Sequence, residues 1–407
     1  MYIAGHNVAF GDCFTIVEPA EEETLLVDFG SDTPSVLGSA ERDILSHSRD
    51  HCFSVLLTHF HRDHINGLWE TQLSRKIDIQ TVYLPDILAM RETKTQFDFL
   101  QLQVLYDLFS SIVLEQKPRE ITLYALLKQL AAGRAKIIFL QCGSTFQFAR
   151  QEFQVLWPNF QVLKVDQRIE NSLSSLLRQL EVLETDSVNF PEEQKRARIR
   201  YVDDYIDLLL ESYFTLASGE MRERENMLSG LEEQLQATMN GLRQRITGLP
   251  QSVWTDLRKR MASIKNQGNR ISLVFQDTPE DNRSRLLMTG DITAADMKRV
   301  IDGGKRNPGG FRLAQSYTAI KAPHHGTHTH FVETLPTCGH ILISNGKPAP
   351  RNRRWGKISY LYGGFYASHK NCQIHCTNSR CQLRGMRATS ACMNCHGMNP
   401  CITVDPL

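Results

Sequence analysis

Short apolar runs bounded by turn residues dominate the first 160 positions of the chain, and they read as β-strands. Asn7-Val-Ala-Phe, the turn Gly11-Asp12, Cys13-Phe-Thr-Ile-Val17, a Pro-Ala-Glu-Glu-Glu break and Thr24-Leu-Leu-Val-Asp28 predict an antiparallel meander. Ser54-Val-Leu-Leu-Thr58 predicts another strand, and it runs directly into His59-Phe60-His61-Arg62-Asp63-His64. Further strands are expected over 81–84 and 136–140, with helices over 95–115 and 123–132 between them. From 161 to 268 the texture changes to charged, Leu-rich, Gly-poor sequence. Leu228, Leu231, Leu235, Leu242 and Ile246 fall close to one helical face there, which predicts a helical insertion. Such a face covers its own domain, self-associates as a coiled coil or docks a protein partner.

Strand texture returns over 270–275 and over 285–289, the latter ending in Gly290-Asp291. It recurs over 317–321, ending in Ala322-Pro323-His324-His325-Gly326, and over 340–344, ending in a Ser-Asn-Gly turn. The expected organisation is therefore a core in two halves, 1–160 and 269–345, with the insertion 161–268 between them and a separate tail, 346–407.

Composition narrows the class without naming a partner. With 41% hydrophobic and 22% charged residues in 407, the chain has the balance of an ordinary globular protein, and its formal charge of +1 gives no overall field towards a polyanion. The start has no basic segment ahead of an apolar stretch, and no run approaches the roughly 18 apolar residues of a membrane span. A cytoplasmic protein with no membrane partner is expected. The charge is unevenly placed, however: residues 343–407 hold nine Lys and Arg against the single acid Asp405, a net +8. Cys13, Cys52, Cys142 and Cys338 are scattered and read as reduced thiols. Cys372, Cys376, Cys381, Cys392, Cys395 and Cys401 crowd into the last 36 residues, and Cys392-Met-Asn-Cys395 has the C-x-x-C spacing of a structural zinc site. Disulfides and free thiols are the alternatives for that cluster. The basic tail is also a candidate for holding nucleic acid.

The chemistry-bearing residues stand at predicted strand ends. His59, His61, Asp63 and His64 put three imidazoles and a carboxylate within six residues, a density suited to two divalent cations, zinc or manganese. Asp291 either caps the helix that follows or bridges the two ions. One of His324 and His325 would complete the second ion's ligands, and the other would contact the substrate or stabilise developing negative charge.

In this order, Asn7-Val-Ala-Phe-Gly-Asp-Cys, Leu-Leu-Val-Asp28-Phe-Gly, Thr-His59-Phe-His61-Arg-Asp63-His64, Asn269-Arg-Ile-Ser-Leu-Val, Met-Thr-Gly-Asp291 and Lys-Ala-Pro-His324-His325-Gly resemble the metallo-β-lactamase superfamily, in particular the hydrolase domain of ComEC competence proteins. The resemblance covers about 1–160 and 269–345. It implies an α/β (α+β) four-layer αββα sandwich, carrying here a large helical insertion and a Cys-rich C-terminal tail. It implies metal ligation by His59, His61, Asp63, His64, Asp291 and His325, with Asp63 also handling the proton of an attacking water and His324 contacting the leaving group. Many members of this superfamily have a further histidine between the first motif and Gly-Asp, and this chain has none between Asn66 and Gly290. Two cations sharing a water allow attack on an acyl or phosphoryl centre at neutral pH. A phosphodiesterase or nuclease acting on nucleic acid or nucleotides is the first expectation, with bacterial phage defence as the context the resemblance implies. The alternatives are an acyl, thioester or lactone hydrolase, and a regulatory partner-binding protein with a vestigial metal site.

Overall fold

The computed structural model describes residues 1–48, 50–87, 94–113, 135–171, 251–303, 311–345, 372–377 and 401–404, with a few single residues between 123 and 240. The described elements run β1 (Tyr2–His6), β2 (Cys13–Glu18), β3 (Glu23–Phe29), α1 (Leu37–Ser48), β4 (Cys52–Leu56), α2 (Arg62–Ile65), β5 (Asp78–Pro85), α3 (Lys94–Val113), β6 (Lys136–Leu140), β7 (Thr145–Phe148) and β8 (Gln151–Trp157). They continue with α4 (Gln251–Gly268), β9 (Val274–Asp277), β10 (Arg283–Met288), α5 (Ala294–Gly303), β11 (Ser316–Lys321), β12 (Thr337–Ile343), β13 (Gln373–Cys376) and β14 (Cys401–Val404). Among these residues no helix is long and apolar enough to cross a membrane.

The fold is α/β, built on two mixed seven-stranded sheets. The first has the order β14-β1-β2-β3-β4-β5-β6 and the second β13-β12-β11-β10-β9-β8-β7. Each sheet is antiparallel over four strands and parallel over the rest: β3 to β6 run parallel in the first, and β10 to β13 in the second. The two sheets thus share one design, although β7 and β8 of the first core half join the second sheet and β14 of the tail joins the first.

Alternation along the strands places the core between the sheets. Ile3, Phe14, Ile16, Leu25, Val27 and Leu56 from the first sheet pack with Phe153, Val155, Phe275, Leu286, Met288 and Leu342 from the second. Phe146 stacks on Phe153 at 5.1 Å between ring centroids, and Phe275 meets both rings edge-on. His6, on the opposite side of β1 from Ile3, bonds Asp43 of α1 at 2.7 Å, so α1 flanks the outer face of the first sheet. On the other side of the chain Arg270 fastens α5 through Asp296 at 2.9 Å.

The chain divides into two compact units, and the sheets belong to the unit formed by 1–85, 133–159 and 269–407. The second unit, 86–132 and 160–268, contains α3 and α4, with Phe99 edge-on to Phe160. The five residues of the predicted apolar stripe from Leu228 to Ile246 lie outside the described residues.

Three differences from the sequence expectation have physical causes. The first strand is Tyr2–His6, while Asn7-Val-Ala-Phe is a loop: Ala9 is left-handed at φ 58° and the Asn7 side chain accepts from its N–H. β7 and β8 were not anticipated, because their alternation is short and rich in Gln and Glu. The tail supplies an edge strand to each sheet: β13 pairs with β12, and β14 returns to pair with β1. Cys381, Cys392 and Cys395 lie outside the described residues, and no cysteine belongs to a metal-capable group among the described ones.

Phe275→Ala should destabilise the sheet unit by about 3–5 kcal/mol, as expected for emptying an aromatic site in a packed core. Urea unfolding followed by circular dichroism checks this.

Candidate metal centre

Five strands end on one edge of the two sheets, and each delivers polar groups there. Asp28 and Gly30 come from β3, the 59–64 loop follows β4, Gly290-Asp291 follows β10, His324-His325 follows β11, and Ser344-Asn345 follows β12. The turn before β2 adds Asp12. These loops interlock through their backbones: Asp12 N–H donates to Asp63 O at 3.1 Å, Leu273 N–H to Thr58 O at 2.9 Å and His324 N–H to Gly290 O at 3.1 Å. Gly30 permits a close approach, since a Cβ there would stand 2.4 Å from the His64 nitrogen. No other residue fits that position.

The histidine loop presents its side chains in two groups. His59 Nε2 and His61 Nδ1 face one another at 2.9 Å. The His64 ring lies 4.1 Å from that of His59, and its Nε2 approaches Asp291 Oδ2 at 3.1 Å. Across the edge, His325 Nε2 lies 3.4 Å from Asp291 Oδ2 and 3.5 Å from Asp63 Oδ2. His324 Nε2 is also 3.4 Å from Asp291 Oδ2. Asp291 is therefore where three imidazoles converge. All seven residues expected from the sequence meet here, each less than a tenth exposed.

His324 and His325 are held at φ 46° and 58°, a region that non-glycine residues occupy only at a cost of about 1–3 kcal/mol each. Surrounding bonds fix them. His324 Nδ1 contacts Thr327 Oγ1 at 2.6 Å, and Asn345 Nδ2 donates to His325 O at 3.0 Å.

Three participants escaped the sequence analysis. Asp12 Oδ1 accepts from His325 Nδ1 at 2.9 Å, and Asp28 Oδ2 accepts from His64 Nδ1 at 2.8 Å while also taking the Thr58 hydroxyl at 2.7 Å. Each carboxylate grips the rear nitrogen of an imidazole and turns its Nε2 inward, the arrangement that fixes the tautomer of a metal-binding histidine. Lys321, fully buried, forms ion pairs with Asp12 and with Asp291 at 3.6 Å and donates to Gly290 O at 2.8 Å. The available signals were the Gly11-Asp12 turn, the acid closing an apolar strand at Asp28 and the lysine closing another at Lys321. Each is equally ordinary as a turn or strand-end residue.

Charge is tightly balanced at this edge. Burial opposes charging His64, yet Asp291 and Asp28 push its pKa up to about 10. His325 is likewise raised well above the usual histidine range, against burial, by Asp291 and Asp12. Burial favours the neutral acid at Asp291, but His325, His64 and His324 hold it well below the carboxylate range. Burial and the neighbouring His64 and His61 keep His59 neutral, and burial does the same for His324.

This donor set fits a divalent cation. Ligand atoms of Asp12, His64, Asp291 and His325 lie within 4.8 Å of one another. His64 Nε2, His325 Nε2 and Asp291 Oδ1 are buried with no hydrogen-bond partner in the structure, although they stand together. Buried polar atoms are normally satisfied, so such convergence has the chemistry of a cation site.

Comparison with known proteins gives partial matches. The family model "Anti-Pycsar protein Apyc1" matches residues 12–100, a span that includes Asp12, Asp28 and the histidine loop but not Asp291, His324 or His325. Among solved structures, the chain is similar to MEM-A1, a subclass B3 metallo-beta-lactamase isolated from a soil metagenome library, at 14% identity and a TM-score of 0.24. That match covers 38% of this chain and 48% of the lactamase, so the chain spans about half the length of the protein it matches. A search of the curated proteins gives no match.

Two substitutions separate charge balance from ligand orientation. Lys321→Met should cost about 3–5 kcal/mol, because it leaves buried carboxylates without their counter-charge; denaturant unfolding of the metal-free protein measures it. Asp28→Asn should leave the sheets folded and weaken zinc binding by about 10–100-fold, measured by competition with a chromogenic chelator.

Proposed function

We propose that the chain is a metal-dependent hydrolase of phosphodiester bonds in nucleic acid or nucleotides. The observation that carries this reading is the convergence on Asp291 of three inward-facing imidazole nitrogens from two loops, in a buried site where Asp12 and Asp28 grip the rear nitrogens of His325 and His64. In this reading His59 and His61 hold one divalent ion, zinc or manganese. Asp63, His64 and His325 would hold a second, with Asp291 as a further carboxylate ligand. Bound there, the ions supply Lewis acidity to a water and to the phosphoryl oxygens.

The remaining work falls to the chain's own residues. Asp63 orients the attacking water and accepts its proton, at an acid placed 3.5 Å from His325 Nε2. His324, neutral and held by Thr327, faces the leaving group. Lys321 holds Asp12 and Asp291 ionised in a buried setting, and Asp12 and Asp28 keep the imidazoles in the ligating tautomer. The +8 charge over 343–407 favours an anionic substrate and supports phosphoryl over acyl chemistry. The matched family model is named for an anti-Pycsar protein, which supports bacterial phage defence as the context.

The test is hydrolysis of bis-p-nitrophenyl phosphate with added manganese or zinc. The wild type should turn over, while Asp63→Ala and Asp291→Asn should lose at least about 100-fold in rate with unchanged circular dichroism. A metal-replete wild type without turnover, yet active on a thioester or lactone, would overturn the phosphodiester assignment.

A further inference from the structure

Away from the metal-capable edge, the described residues bring together a second pair of reactive side chains. Cys338 of β12 and Cys372, immediately before β13, are 34 positions apart in sequence, and their sulfurs lie 3.4 Å apart. The register of the two parallel strands puts them there: His340 stands opposite Gln373 and Ile343 opposite Cys376, so both cysteines fall at the same end of the strand pair. Cys372 is buried and Cys338 is partly open to solvent. Beside them His340 Nδ1 and His375 Nε2 meet at 2.9 Å.

Two thiols and two imidazoles could also suggest a zinc site, but the two pairs do not merge into one. Among the described residues, the group with three or more ligand atoms within 4.8 Å of one another is the Asp12, His64, Asp291 and His325 set. The sulfurs are adjacent, unbonded and reachable from solvent through Cys338, which suits reversible oxidation better than metal capture.

We propose that Cys338 and Cys372 are a redox pair that closes to a disulfide under peroxide and fastens edge strand β13 to β12. The two sulfurs share one contact in which either can donate, so either can be the thiolate that reacts first. That thiolate attacks one peroxide oxygen, the O–O bond breaks, and hydroxide leaves a sulfenic acid. The other sulfur then attacks the oxidised one, the S–S bond forms, the S–O bond breaks, and the departing oxygen takes the proton as water. In sum, two thiols lose two electrons and two protons, and one peroxide becomes two waters.

The consequence reaches the metal-capable edge through β12. Thr377 N–H, just past β13, donates to Ile343 O at 3.0 Å. The next two residues hold the site loops, Ser344 donating to Gly11 O at 2.5 Å and Asn345 to His325 O. Closing the bridge restricts the unfolded chain over the intervening loop and secures the strand on which His325 leans.

The experiment treats the full-length, metal-loaded protein with hydrogen peroxide, blocks free thiols with iodoacetamide and maps the peptides by mass. The expected product links Cys338 to Cys372, is two hydrogens lighter than the paired thiol peptides and is reversed by dithiothreitol. The unfolding midpoint should rise on oxidation in the wild type and stay put in Cys338→Ser and Cys372→Ser. Exposed Cys52 serves as the internal gauge of oxidant strength. The proposal fails if both thiols still take iodoacetamide at peroxide levels that oxidise Cys52, if either goes on to sulfinic acid unlinked, or if a chelator rather than a reductant frees the pair. The peptide mapping uses the wild type alone, so it decides the matter even if a serine variant does not fold.

Discussion

The burial of several carboxylates at one sheet edge is the constraint on which this structure depends. Asp12, Asp28 and Asp291 are each 1% exposed, and such groups are stable only against nearby positive charge or strong donors. Lys321, His64 and His325 supply both, and the outcome shows in opposite directions: the imidazoles are raised while Asp12 and Asp291 are lowered. Asp28, gripped by fewer cations, is raised by its burial despite the pull of His64. The same balance makes the edge receptive to a divalent cation, which can take over the role of the protons on the two histidines.

The fold places these groups by a single device. Parallel strands carry their chain directions to the same edge, so residues following β3, β4, β10, β11 and β12 gather there although they lie up to hundreds of positions apart in sequence. Backbone bonds between the loops then fix spacing to within hydrogen-bond tolerance. The left-handed pair His324-His325 stores strain that the Gly290, Thr327 and Asn345 contacts hold in place, and the reward is two imidazoles aimed from consecutive residues. Consecutive residues in ordinary extended backbone would point to opposite faces.

The two ends of the chain close the sheets. β14 comes from the extreme C-terminal stretch yet pairs with β1 of the first sheet, and β13 covers the second beside β12. Each edge strand hides a row of backbone donors that would otherwise stand exposed. The tail, which composition marks as basic and cysteine-rich, is thereby partly structural. Its cysteines divide accordingly, with Cys376 inside a strand and Cys372 set against Cys338.

What the sequence determined by itself was the local chemistry: strands with period-two apolar runs, and acids and histidines at their ends. Strand 136–140 was legible to the residue, and the helix over Lys94–Val113 to within two. His59, His61, Asp63, His64, Asp291, His324 and His325 were legible as a constellation, because such polar density beside apolar strands has few other uses. Tertiary structure alone decided the rest. Asp12, Asp28 and Lys321 are ordinary residues in sequence, and their roles arise only when strands far apart along the chain bring them within 4 Å of an imidazole or carboxylate. The pairing of β13 and β14 was equally hidden, since strand pairing is set by backbone bonds to a partner whose position in the chain no local pattern encodes.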